Sequence, residues 1–340
     1  MKQVIAIDLA KRVFQIHIPT NANRPALNKV LTRNKLLAFI AKQPESIIVM
    51  EACGTANYWC NQFAQLGHEV RQISPQYVAR FRIGNKNDKN DAIAISEAFS
   101  RPDMRFVPIK KIEQQDRQCL HRVRQRLVKN RTAIINQIHG LAAEYGVALS
   151  EGKHKMLSEI HDELEDGSNG LSPIFRELLQ ELYLEFKDID LKVKKLSSQI
   201  TQLNSISETA QKLLTIPGVG PLSASVLGIE LGDGTCFKNG RHFSSYLGLV
   251  PKERSSGGKV RLLGITKRGD SYLRGLLIHG ARAVVYSVSK IPLEQCNRLQ
   301  SWLKKLITQN GVNKAIVALA NKNARMAWAI VKTGEAYKAV

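Results

Sequence analysis

Four acidic side chains and a pair of serines are the groups in this sequence whose types and spacing could carry chemistry. Asp8 follows the apolar run VIAI in AIDLAK, and Glu51 follows SIIVM in VMEACG. Asp88 and Asp91 stand three residues apart in GNKNDKNDA, where a helix should begin. Carboxylates at i and i+3 project from one helix face, so this pair can converge on a cation. The same two residues also suit a first helical turn, where acids complement the helix dipole beside a capping residue. A cluster of all four would repel itself unless cations occupied it. Oxygen-only ligands select hard cations, and two Mg²⁺ ions about 4 Å apart can stabilise both oxygens of a phosphodiester displacement.

Ser255 and Ser256 precede Gly257 and Gly258 in PKERSSGGKVRLLGITKRGD, hemmed by Lys252, Arg254, Lys259, Arg261, Lys267 and Arg268. A serine in so basic a loop can bind a phosphate. It can also attack one, given a base or metal to activate the hydroxyl and cations to stabilise the developing charge. The residues alone leave both open. His242 and His279 read as helix-face residues rather than partners of a catalytic triad. Upstream, IPGVG lies between two helical stretches and resembles a helix-hairpin-helix, whose Gly218 and Gly220 would let backbone N–H groups approach a phosphate; an ordinary helix-helix turn is the competing reading.

The elements that must position these groups fall into three segments. Over residues 1–105, short β-branched runs alternate with helical ones near 34–42 and 56–66, which predicts an α/β layer with a central sheet. Two of its strands run into an acid. Over 106–206 the strand signals vanish. Leu120, Val123, Leu127, Ile134, Ile138 and Leu141 share one helical face, while Arg122, Arg126 and Lys129 share another, and Arg117, Arg124 and Arg131 add to the charge. Ser172 and Pro173 read as N-cap and first residue of a later helix. Its Leu179, Leu182, Phe186, Ile189, Val193, Leu196, Ile200 and Leu203 keep the rhythm of a coiled-coil seam. Residues 207–340 read as mainly helical and hold 20 Lys and Arg against 7 Asp and Glu.

The formal net charge of +21 and the concentration of basic residues near the C-terminus call for a polyanionic partner, nucleic acid first. No apolar run approaches the roughly 18–20 residues of a membrane-spanning helix, and the start MKQVIAIDLA has no cleavage signal, so a membrane partner is not expected. Five cysteines at scattered spacings, with no CxxC pair, argue for a reducing cytoplasm and against a zinc or disulfide frame.

The order of the acids, one after the first strand, one after a later strand and a pair on a late helix, resembles the RNase H-like nuclease fold. Taken with IPGVG, LGLVPKERSSGGK and GITKRGDSYLRGLL, the chain resembles the DEDD-type insertion-sequence transposases along nearly its whole length. These are related to the Piv-type DNA invertases and the bridge-RNA-guided recombinases. The resemblance implies a RuvC-like domain whose Mg²⁺ is held by Asp8, Glu51, Asp88 and Asp91. It implies that Ser256 is a nucleophile forming a covalent phosphoserine link to DNA, with Ser255 one residue away in the alignment. It further implies a composite active site across a homodimer or tetramer joined by a coiled coil, and a noncoding guide RNA that pairs with donor and target DNA. The helix carrying Arg117 to Arg131 would then be an RNA surface. The two glycines and lysine after the serine depart from what would disclose its local activation. Two other functions compete: a RuvC-type junction endonuclease in which Ser256 only binds phosphate, and a nucleic-acid-binding regulator with an idle fold.

Overall fold

The β-branched runs of the first hundred residues, with one short strand just beyond them, pair into one six-stranded sheet. In the computed structural model, which describes residues 2–21 and 24–338, the strands are β1 (Gln3–Leu9), β2 (Val13–Ile18), β3 (Leu27–Thr32), β4 (Ser46–Glu51), β5 (Glu69–Ile73) and β6 (Phe106–Val107). Their order is β3-β2-β1-β4-β5-β6. The β1, β2 and β3 strands form an antiparallel meander, β4 and β5 continue parallel to β1, and the short β6 closes the far edge antiparallel. Four helices accompany the sheet: α1 (Arg33–Ala41), α2 (Ala56–Gln65), α3 (Pro75–Val78) and α4 (Asp88–Phe99).

Strand alternation divides the core in two. Ile5, Ile7, Ile48 and Met50 point to one face and pack with Leu36 and Ile40 of α1 and with Trp59 and Phe63 of α2. Ala6 and Val49 point to the other face, where Ala94, Ile95 and Ala98 of α4 cover them. Two small or β-branched residues under an alanine-rich helix let α4 lie close to the sheet.

The chain gathers into two compact units, Met1–Gln115 with Ile229–His242, and Asp116–Gly228 with Phe243–Val340. Within the first, the returning segment is tied down by the buried ion pair of Lys110 and Glu230, 2.5 Å apart, and by Gln114, which donates to the Ile229 carbonyl.

The second unit is built on long helices. Helices α5 (Ile112–Glu144) and α7 (Pro173–Ser205) run antiparallel, with α6 (Lys153–Glu165) packed beside them. Ser172 caps α7 by accepting from the Phe175 N–H, as its position before Pro173 predicts. The pairing is fixed along its length. Arg117 donates to the Leu203 carbonyl, Arg124 to Ser197 Oγ at 2.7 Å and Arg131 to Asp190 at 2.7 Å, while the Tyr145 and Phe175 rings stack 4.0 Å apart. Burial would raise the Asp190 carboxyl, but hydrogen bonds from Lys153, Arg131 and Lys194 outweigh it and hold it near 2.

The buried stripe of α5 runs through His121, Leu127, Ile134, Ile138 and Ala142. Val123 and Leu141, expected on the apolar face, are 44% and 37% exposed. The stripe drifts because a 33-residue helix at 3.6 residues per turn does not hold a single seam against its partner. His121 is held neutral, its pKa lowered by burial and by Arg124 to about 4, and bonds Ser225 Oγ at 2.9 Å and Tyr272 Oη at 3.2 Å.

Helices α8 (Glu208–Leu214), α9 (Pro221–Leu231), α10 (Gly240–Tyr246), α11 (Ser271–Ser289), α12 (Arg298–Asn310) and α13 (Val312–Thr333) complete the chain, with a hairpin of β7 (Pro251–Glu253) and β8 (Leu262–Ile265) before α11. The sequence reading lacked β3, β6 and this hairpin. All three are short or exposed strands with little of the apolar alternation by which strands are recognised. Among the described residues no helix is long and apolar enough to cross a membrane.

Candidate active site and nucleic-acid interface

Register places the first two acids side by side. Ile7 of β1 pairs with Met50 of β4 in parallel, so Asp8 and Glu51, one residue further on each strand, are neighbours on the face covered by α4. Asp88 is the first residue of α4 and Asp91 lies one turn on, behind an N-cap in which Asn87 accepts from the Asn90 N–H. The cap is therefore an asparagine, with both aspartates in the first turn beside it and Asp88 exposed.

Asp8 and Glu51 feel the acids around them. Burial, then Asp91, Asp88 and Glu51, push the Asp8 carboxyl up to about 6, against a lowering by Lys86. Glu51 is raised by burial and by Asp91, and lowered by Arg82 and Lys86. At neutral pH the ionised cluster costs folding free energy, and a cation among the four would offset that cost. An oxygen-only donor set suits a hard divalent ion. Among the described residues, however, no three acidic, histidine or cysteine side chains are arranged to hold one ion as they stand. Arg82 stands beside them, and its Nε donates to the Asp91 carboxylate.

The serines sit at the tip of the β7–β8 hairpin in the second unit. Lys259 N–H donates to the Ser256 carbonyl at 3.0 Å, and Gly257 and Gly258, at φ +54° and +75°, supply the two positive φ values of a type I′ turn. Lys252, Arg254, Lys259 and Arg261 are exposed along the same ribbon, and Lys267 and Arg268 follow it. The two hydroxyls differ. Ser255 Oγ donates to the Glu253 carboxylate at 2.6 Å and accepts from the Arg261 N–H at 3.2 Å. Among the described residues the Ser256 hydroxyl has no partner, and the residue is exposed.

IPGVG does form the turn between α8 and α9, but its first glycine is committed to packing. A Cβ on Gly218 would meet the Gly280 carbonyl oxygen of α11 at 2.7 Å, and one on Gly280 would overlap the Gly218 carbonyl. Asn323 and Asn204 pin the same turn by donating to the Pro217 and Pro221 carbonyls. Gly220 is exposed with open space around it, which leaves it as the glycine a phosphate backbone can approach. Gly280→Ala should therefore cost about 2–3 kcal/mol of stability through overpacking, read as a lowered urea midpoint. An unchanged midpoint would show that the crossing yields freely.

The basic residues of α5 separate into two sets. Arg117, Arg124 and Arg131 are half-buried and engaged in the pairing with α7, whereas Arg122, Arg126 and Lys129 are exposed. The first set is spent on the fold.

A DEDD-type transposase model matches residues 3–146, the stretch that holds all four acids. A second model, described as Transposase IS116/IS110/IS902 family, matches residues 210–295, from α8 through the hairpin and α11. A Pseudomonas aeruginosa protein named Probable family 20 transposase is 41% identical over 98% of this chain and 98% of its own. The chain belongs to the IS110/IS116/IS902 family of transposases. The Coxiella burnetii transposase for insertion sequence element IS1111A is 40% identical over 99% of this chain and 91% of its own, and the pilin gene-inverting protein of Moraxella bovis is 28% identical over 41% and 43%.

This transposase is thus a DNA-recombining enzyme, and its surplus of positive charge suits DNA. Sequence reading passed over one residue beside the acids. Arg82 carried no motif, and only its place in the basic loop ahead of Asp88, six residues before the helix, hinted that it would reach the cluster.

Proposed function

We propose that this transposase cuts and rejoins DNA with a Mg²⁺ site formed by Asp8, Glu51, Asp88 and Asp91 and with Ser256 as nucleophile. The observation that carries the reading is that Asp8 of β1 is raised by Asp91 and Asp88 of α4 and by Glu51 of β4, and Glu51 by Asp91, so that these acids lie within electrostatic reach of Asp8. The sheet order and strand directions support an RNase H-like, RuvC-like assignment for this part of the chain. Bound Mg²⁺ would neutralise the charge developing on the attacked phosphate and the leaving oxygen.

The unengaged hydroxyl supports Ser256 rather than Ser255 as nucleophile. Its Oγ–P bond forms as a P–O bond of the DNA strand breaks; the serine proton leaves and the departing sugar oxygen gains one. The phosphoserine link keeps the energy of the phosphodiester, so rejoining to another strand needs no further input. Exposed Lys252, Arg254, Lys259 and Arg261 would hold the flanking phosphates, positioning DNA without reading bases. The division into 1–105, 106–206 and 207–340 belongs to the same reading, as does a composite site within a homodimer or tetramer. The antiparallel α5–α7 pair supports a coiled-coil middle region.

Sequence choice would fall to a noncoding guide RNA, the protein holding backbone and shape. The exposed set Arg122, Arg126 and Lys129 is the proposed RNA surface. Replacing all three with glutamine should weaken RNA retention more than duplex DNA retention, and flatten the log–log salt dependence for RNA by about 2. Equal losses for RNA and DNA would remove the assignment.

One observation favours a second reading, in which metal-activated water cuts a DNA junction: no base among the described residues is hydrogen-bonded to Ser256. The test uses purified full-length protein, donor and target plasmids and RNA transcribed from the element's flank. Recombinant junctions that require both RNA and Mg²⁺, and vanish with chelator, support the first reading. Hydrolysed ends without junctions support the second.

A further inference from the structure

Arg82 stands in the loop between α3 and α4 and is largely sheltered, its side chain 23% exposed against 13% for Asp91, to which its Nε donates. The same guanidinium is felt by Glu51, and Lys86 of the same loop by both Glu51 and Asp8. The loop thus supplies the positive charge that offsets the cluster from within. A guanidinium and a divalent ion compete for the same lone pairs, because a carboxylate oxygen turned to one is withdrawn from the other.

We propose that Arg82 is a placeholder cation, which holds Asp91 in the metal-free protein and must release it for a divalent ion to be bound. The inference rests on the proposed reading of the four acids as metal ligands. Arg82 is then a positioning residue with two opposed effects. It stabilises the metal-free fold, because it relieves the repulsion among the acids. It lowers metal affinity, because the ligating arrangement is available only in the fraction of molecules in which the ion pair is open. Metal loading would be reluctant in the free protein and would improve wherever Arg82 finds another anion.

The test is a Mn²⁺ titration of the full-length protein without DNA, followed by the electron paramagnetic resonance signal of free Mn²⁺, with thermal melting in parallel. Wild type, Arg82→Gln, Arg82→Lys and Asp8→Asn are compared. Arg82→Gln should bind Mn²⁺ about tenfold more tightly than wild type, melt lower without metal and gain more from saturating Mn²⁺. Arg82→Lys keeps the charge without the planar fork, and should fall between the two. It also serves if the glutamine variant does not fold. Equal or weaker Mn²⁺ binding by the Arg82 variants, with Asp8→Asn still losing the ion, would overturn the placeholder role and leave the metal site standing. Asp8→Asn binding Mn²⁺ as wild type does, or no Mn²⁺ binding by wild type and Arg82→Gln alike, would overturn the metal-site reading itself and the placeholder with it.

Discussion

Asp8→Asn should abolish strand cleavage, lowering its rate by about 10³-fold or more, while salt-sensitive DNA binding persists. A factor of that size corresponds to about 4 kcal/mol of transition-state stabilisation, within the reach of a misplaced or lost metal. Asparagine keeps the shape of the side chain in β1 but removes a charge that the fold does not want. Burial and three neighbouring carboxylates push Asp8 up to about 6, so its ionised form is disfavoured on folding. The sign follows from linkage: the unfolded chain releases this proton at lower pH than the folded one, and stability falls as pH rises through the interval up to about 6. The asparagine variant should therefore melt at or above wild type at neutral pH without metal, and the difference should vanish below about pH 4. Loss of cleavage with intact stability separates a missing ligand from a damaged fold. DNA retention measured over a salt series checks the binding half, since the basic surface is untouched. Full cleavage activity in Asp8→Asn would sink the metal-site claim.

The second large effect concerns the hairpin. Ser256→Ala should eliminate the covalent protein–DNA adduct on a denaturing gel, whereas Ser255→Ala should reduce it without removing it. The two serines are adjacent in sequence, yet β7 and β8 give them different work. Ser255 bridges Glu253 and the Arg261 N–H across the ribbon and so stiffens it. Ser256 opens the type I′ turn, where its carbonyl accepts from Lys259 while its hydroxyl is left unengaged. Removing the bridge loosens the hairpin; on the proposed mechanism, removing the Ser256 hydroxyl leaves nothing to attack the phosphate. An adduct that survives Ser256→Ala and disappears with Ser255→Ala would exchange their roles. Cleaved DNA with no adduct in the wild type would shift the mechanism to activated water.

Legibility differed between the two halves of the chemistry. Asp8 and Glu51 were readable because a strand announces itself by a β-branched run, and an acid where such a run ends is conspicuous. The paired acids of GNKNDKNDA read both as first-turn acids and as ligands, and their place in the first turn of α4 behind the Asn87 cap is compatible with both. For the hairpin, the turn chemistry SSGGK was visible, but the flanking strands were not, because β7 is exposed throughout and β8 nearly so. Exposed strands lack the alternation that burial of one face imposes.

The sequence by itself determined what local chemistry can encode. It carried the charge balance, the strand–acid order, the Ser172–Pro173 helix start and the motifs that tie the chain to its family. Each depends on residues close together in the chain. Tertiary structure alone decided which groups are free to act. Arg117, Arg124 and Arg131 share the helix of Arg122, Arg126 and Lys129, yet only the latter three are exposed, because α7 lies along one side of α5. Gly218 and Gly220 belong to one pentapeptide, yet Gly218 is taken by a backbone crossing with Gly280, 62 positions away in the chain. Arg82 reaches Asp91 only because the loop folds back over the start of α4. Availability of a side chain is set by what packs against it, and packing joins residues that the sequence keeps apart.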